Sequence, residues 1–228
     1  MKAKAIHTLF VLTVIGLLSA PVLAGPTGPA YKVTMSGSGY GQGGVNGGAF
    51  LATPKTGGAN WDNLNIDGPF RTFCAEPTVL GFGDWATIDD TIYFGGSANG
   101  VAVPAEVRSV LAYWFEGGYT AIGLNDDQLG NMTLQAYIWK TIYGSTPSAW
   151  NSFVTNSTNA AAISNLGTTY GGGHALAGSV KVMNLWTSST LFDGSTDRQS
   201  QFIIVPLPGA VLLGLIGFGA AARMRRSA

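Results

Sequence analysis

The chain has 228 residues, 46% hydrophobic and 11% aromatic, with 11% charged and 33 glycines. That is too aromatic for a disordered chain, and its length suits one domain with small appendages. Twelve basic and twelve acidic side chains cancel, the cysteine is single and the histidines number two, which argues against nucleic acid as a partner, an internal disulfide, a cysteine-rich zinc site and a histidine metal cluster.

Residues 1–24 read as a secretory signal peptide. Lys2 and Lys4 form the positive end, Leu9 to Leu18 the short apolar core, and Val22-Leu23-Ala24 the small-residue cleavage site. Pro21 and the Gly25-Pro26 break that follows argue against an uncleaved anchor.

From Gly25 to Phe94 the pattern is β with turns. Tyr31, Val33 and Met35 alternate with Lys32 and Thr34, and Phe70–Cys74 and Thr87–Phe94 look like further strands. Gly37 to Gly48 is a glycine-rich connection. Its Gly39-Tyr40-Gly41-Gln42-Gly43-Gly44 fits a Gly-x-Gly-x-x-Gly string, but no βαβ context surrounds it, so it reads as a flexible loop rather than a nucleotide site. Asn63 to Gly68 echoes the start of a calcium loop whose twelfth position is Cys74 instead of glutamate, which excludes an EF-hand.

The period then changes. Pro104 suits a helix start, Val107, Val110, Leu111, Trp114 and Phe115 form one apolar helical face, and Gly117-Gly118 should end it. A second helix is expected from about Asp126 to Tyr143, closed by Gly144 and Pro147, and a third from Ser148 to Leu166. Strands return at Val180 to Leu185 and Phe202 to Val205, with His174 ahead of them in an exposed glycine-rich loop. The expected fold class is α+β: a β-sandwich or barrel-like body with a helical insertion, plus an N-terminal signal helix and a C-terminal hydrophobic helix.

The last segment, residues 205–228, stands apart. Val205-Pro206-Leu207-Pro208-Gly209-Ala210 precedes an apolar stretch of 13 residues, Ala210 to Ala222, and then Arg223, Arg225 and Arg226. The stretch is short of the ~20 residues of a full span, though a tilted or thin insertion is open to it, and the arginines would stay on the cytoplasmic side. This tail resembles the PEP-CTERM sorting tails of exopolysaccharide-producing bacteria, in a Val-Pro-Leu-Pro-x-Ala variant with Leu207 where the usual motif has glutamate. The resemblance implies transient anchoring in the inner membrane, processing by an exosortase-type transpeptidase, and a final place at the cell surface or in the extracellular matrix. The exported body, residues 25–204, would carry seven basic and twelve acidic side chains, net −5, again with no call for nucleic acid.

Three blocks of the body carry a second resemblance: Arg71-Thr72-Phe73-Cys74-Ala75-Glu76, then Val107 to Tyr119, then Thr133-Leu134-Gln135-Ala136-Tyr137-Ile138-Trp139. In this order they resemble the thioester domain of bacterial surface proteins. That family has an aromatic-Cys block on a strand, a helix ending near Gly-Tyr, and Gln-x-x-aliphatic-Trp on a helix. The departures are Leu134, where threonine is common, and Lys140 after the tryptophan. The resemblance implies a side-chain thioester between Cys74 and Gln135, with no cofactor, that captures an amine on a surface or a matrix polymer. Phe73, Tyr137 and Trp139 would shield the bond from water.

The chemistry is sound on general grounds. A thiolate is a strong nucleophile, a carboxamide is inert unless held in attack geometry, and expulsion of ammonia leaves an activated acyl group. On a helix Gln135 shares a face with Asn131, Met132, Ile138, Trp139 and Ile142, so it should point inward, where an unpartnered amide costs about 1–3 kcal/mol. Glu76, two residues from Cys74, could serve as a base toward an amine or simply be a structural or solvated acid. Read without the resemblance, Cys74 is a small buried hydrophobe and Trp139 plain core. Three functions stay open at this point: a single-use covalent binder that is not a turnover enzyme, a passive matrix protein with a free thiol, and a secreted hydrolase, for which no nucleophile-elbow motif speaks.

Overall fold

A computed structural model describes residues 28–37, 40–42, 45–77, 81–93, 100–192 and 195–206. The expected signal segment and everything after Pro206 lie outside these residues, and no described helix is long and apolar enough to cross a membrane. The strands in chain order are β1 (Tyr31–Ser36), β2 (Tyr40–Gln42), β3 (Val45–Gly47), β4 (Phe50–Lys55), β5 (Phe70–Cys74), β6 (Trp85–Asp89), β7 (Thr91–Ile92) and β8 (Val101–Ala102). Helices α1 (Ala105–Ala121), α2 (Gln128–Tyr143), α3 (Asn151–Thr155) and α4 (Ser157–Tyr170) follow, then β9 (Val180–Trp186) and β10 (Asp197–Ile204).

Six strands close an antiparallel barrel in the order β1-β4-β5-β10-β9-β6, while β2–β3 and β7–β8 form small separate hairpins. The expected α+β class holds, and of the two β architectures it is the barrel that forms. Closure leaves no edge strand in the ring. Alternating side chains on the strands serve two apolar clusters. Val33, Ala52, Ala86, Met183, Leu185 and Ile203 fill the barrel with Tyr31 and Trp61. Phe50, Phe73, Val180, Val182 and Phe202 face the other way and pack with α1, α2 and α4. β5 and β10 thus have a packed layer on each face.

The helix ends follow expectation in part. α1 breaks at the glycine pair, as expected. Gly118 takes φ 70°, ψ −161°, a break that only glycine enters cheaply, and one further turn then carries Tyr119 into the core. α2 begins one residue after Asp127, whose carboxylate caps the Gly130 amide at 2.8 Å, and ends at Gly144 in the left-handed region. The third expected helix is split, because the Asn156 side chain accepts from the amides of Thr158 and Asn159 and starts α4 afresh. β10 starts at Asp197, five residues ahead of the expected Phe202. Its polar run Asp197-Arg198-Gln199-Ser200-Gln201 reads as loop in the sequence, yet all of these but Arg198 are buried.

Candidate functional site

The site forms where the β4–β5 ladder stops. Phe50 pairs with Thr72, so continuing the register would set Gly48 opposite Cys74. That pair never closes. Gly48, at φ 81°, turns the chain away, and the carboxamide of Gln135 enters the gap from α2. Gln135 Oε1 accepts from the backbone N–H of Gly48 at 2.7 Å and of Cys74 at 3.1 Å. Its Nε2 donates to the Cys74 carbonyl at 2.8 Å. One side-chain amide thus fills both backbone slots of Cys74, as a partner strand would. Two backbone donors on one side and a carbonyl on the other also fix which end of the amide is oxygen.

Asn131, one turn before Gln135, works on the same segment. Its Oδ1 accepts from Ala49 N at 3.1 Å and from the Tyr119 hydroxyl, while its Nδ2 donates to Asp127 O at 2.7 Å. Two amides at i and i+4 on α2 therefore pin residues 48–49. Gly47 lies directly on the glutamine. A Cβ there would stand 2.3 Å from Gln135 Cγ, 2.9 Å from its Cδ and 2.9 Å from Trp139 Cη2. Only hydrogen fits between the β2–β3 hairpin and the side chain it covers.

Cys74 and Gln135 are both fully buried. Burial pushes the Cys74 thiol up to about 12; a hydrogen bond from Gln201 acts against this, and the charge of Glu76 adds to it. Gln201 stands opposite Cys74 on β10 and aims Nε2 at the sulfur at 3.5 Å. Thr72 Oγ1 donates to Gln201 Oε1 at 3.0 Å and so sets which end of that amide faces sulfur. Glu76 is fully buried as well, not the solvated acid that its position near a turn allowed, and neither carboxylate oxygen has a hydrogen-bond partner. Burial raises it to about 8; Ser200 pulls it down and Asp197 pushes it up. The Ser200 hydroxyl proton goes to Asn184 Oδ1 at 2.9 Å, so Ser200, with its hydroxyl and its backbone, acts on the carboxylate from outside hydrogen-bond geometry.

Of the expected shielding groups, Phe73 and Trp139 are in place. Phe73 packs edge-on against Trp114 at 4.8 Å and reaches the Gly48 segment, and Trp139 flanks Gln135 beneath Gly47. Tyr137 is not in place. Two positions along a helix rotate a side chain by about 200°, and Tyr137 packs on Gly167 of α4 instead. Val205 and Pro206 of the expected sorting motif continue from β10, Val205 N donating to Ser179 O at 2.8 Å. Leu207, Pro208, Arg223, Arg225 and Arg226 fall outside the described residues.

Gln201, Gly47 and Gly48 carry only faint signals in the sequence: a glutamine within a polar run, and glycines in a glycine-rich loop; Tyr119 enters there only as the end of the Val107 to Tyr119 block. His174 is not an exposed loop residue. Its ring stacks edge-on with Tyr113, its Nδ1 accepts from Leu176 N and its Nε2 meets Glu116 at 2.9 Å. With both nitrogens engaged it has no free position from which to activate a serine. Among the described residues no three His, Cys, Asp or Glu side chains are placed to hold a metal.

The arrangement has a clear chemical capacity. Charge that develops on Gln135 Oε1 during attack at Cδ would meet two backbone N–H donors already aimed at it. The one cysteine of the chain lies in the residue that holds the amide. No protein-family profile matches this chain, and neither a curated protein nor a solved structure is significantly similar to it.

Proposed function

We propose that this is an exported bacterial cell-surface or matrix protein whose Cys74 and Gln135 join in an internal thioester, spent once on an amine. The observation that carries the reading is the clamp of the Gln135 carboxamide onto the backbone of Cys74, with Oε1 between two N–H donors. Thiol attack on Cδ expels ammonia; an incoming amine then forms an amide on the Gln135 side chain and frees the Cys74 thiol. The protein is a single-turnover reagent rather than an enzyme. Its acceptors are amines on a surface, a matrix polymer or another protein. A signal helix over residues 1–24 exports it, and the hydrophobic helix and arginines of residues 205–228 hold it in the inner membrane for an exosortase-type transpeptidase.

One observation favours a second reading. The hydrogen bonds of Gln135 already satisfy its burial, so the same residues would serve a passive biofilm-matrix protein as a strand clamp with a free thiol. Intact mass separates the two. The full chain is expected to lack one ammonia relative to its sequence, the Cys74→Ala chain to have full mass, and methylamine to add to the parent alone. A parent of full mass with Gln135 intact by peptide mapping overturns the thioester. Conversion of Gln135 to glutamate would mean that the bond formed and met water.

A further inference from the structure

Resting on the thioester reading, one requirement of the chemistry remains without an agent. The thiol must lose a proton and the departing nitrogen must gain one, in a site closed to water and with a thiol strongly disfavoured as thiolate. Glu76 is a buried acid in the same stretch of chain as the thiol, and its charge acts on Cys74. It lies two residues beyond Cys74, and it is fully buried with both carboxylate oxygens free of hydrogen bonds. Its backbone is fixed by Gln199, whose Nε2 donates to Glu76 O at 3.1 Å. Gln201 ties this corner to the sulfur, with Nε2 shared between Cys74 Sγ and Gln199 O. A buried carboxylate whose near donors, on Ser200, stand outside hydrogen-bond geometry is costly, and such groups gather where protons move.

We infer that Glu76 carries the proton in thioester formation, taking it from the Cys74 thiol and delivering it to the departing nitrogen of Gln135. The step balances. The S–H proton passes to a Glu76 oxygen, and the sulfur lone pair forms the bond to Gln135 Cδ. The C=O pair moves onto Oε1, between the N–H groups of Gly48 and Cys74. Collapse restores the C=O bond and breaks Cδ–Nε2, and the nitrogen leaves as ammonia with the proton from Glu76. The carboxylate is regenerated and no further reactant is needed.

The titratable groups around Glu76 are Cys74 on β5, Asp197 on β10 and Tyr143 on α2. Burial raises the Tyr143 hydroxyl, with the Glu76 charge adding to it, and Cys74 is raised to about 12. Glu76, at about 8, thus changes charge in the neutral to mildly alkaline range, where neither of those two does.

The test uses the full chain, made unfolded in inclusion bodies and refolded by dilution, with ammonia loss followed by intact mass. The parent rate is expected to rise with pH and level off above about 8, as the carboxylate fraction saturates. Glu76→Gln, which keeps shape but cannot carry a proton, should slow it by about 100-fold or more. A Glu76→Gln chain that loses ammonia at the parental rate overturns this proposal alone. If that variant does not regain parental circular dichroism, the parent profile decides: a flat rate from pH 6 to 9, or one that climbs past pH 9 with thiol ionisation, overturns it. A parent that keeps full mass at every pH overturns the thioester reading and this proposal together.

Discussion

The two sides of β5 are built on opposite terms. Toward β4, the intruding Gln135 amide has its oxygen and nitrogen hydrogen-bonded, and Asn131 is equally engaged. Toward β10, Gln201 gives the sulfur one long contact, and Glu76 has none for its carboxylate. Satisfied amides rigidify, whereas an unsatisfied carboxylate stays ready to change protonation. Position and reactivity are thus assigned to different neighbours of one strand.

The sharpest way to break the contrast is Gln135→Ala. It empties a buried side chain and strips Gly48 N–H and the Cys74 backbone of partners, so about 3–5 kcal/mol of stability should go, read as a drop in Tm of about 10 °C or more. Glu76→Gln should act in the other direction. A carboxyl raised from 4.5 to about 8 in the fold binds its proton more tightly folded than unfolded. Its stabilising contribution is full below about 4.5 and is lost as pH rises through about 8. The variant should therefore match the parent in Tm near pH 4 and exceed it by several degrees at pH 8. An unchanged gap across that range would remove the free carboxylate from the comparison.

Gly47→Ala probes the cover of the first side. The added methyl must push the hairpin off Gln135, at a cost of about 1–3 kcal/mol, and any thioester should hydrolyse faster; equal Tm and equal half-life would mean that the hairpin yields freely. The smallest effect is expected at the rim. Arg71 and Asp126 pair at 3.1 Å with both side chains more than half exposed, so Arg71→Ala should cost under about 1 kcal/mol, less at high salt.

Much of the site was legible because its chemistry is local. The Phe73-Cys74 strand and the Gln135 helix each follow from periodicity, and the i, i+4 placement of Asn131 and Gln135 put both amides on one face. The rest depends on contacts distant in sequence. Nothing in the run Asp197 to Gln201 announces a strand, because its alternation is polar on polar and is stabilised by Thr72 and Glu76 more than a hundred residues earlier. Gly47 and Gly48 look like any glycines of a flexible loop until Gln135 is set against them. Tyr137 is near Gln135 in sequence but turned away from it in space, whereas the break at Gly118 follows from the glycine pair itself.

The gap in the β4–β5 ladder bears on how a spent molecule would end. Capture of an amine turns the acyl group back into a neutral amide, with an oxygen for the N–H groups of Gly48 and Cys74. In the trans form of that amide the cargo takes the side of the nitrogen that faced the Cys74 carbonyl, so the plug is refitted on its oxygen side alone. Water instead leaves a carboxylate, which has no hydrogen to offer that carbonyl when ionised and brings a further negative charge into the interior that holds Glu76 and Asp197. A successful encounter would thus leave the gap neutral, and a wasted one would leave it charged.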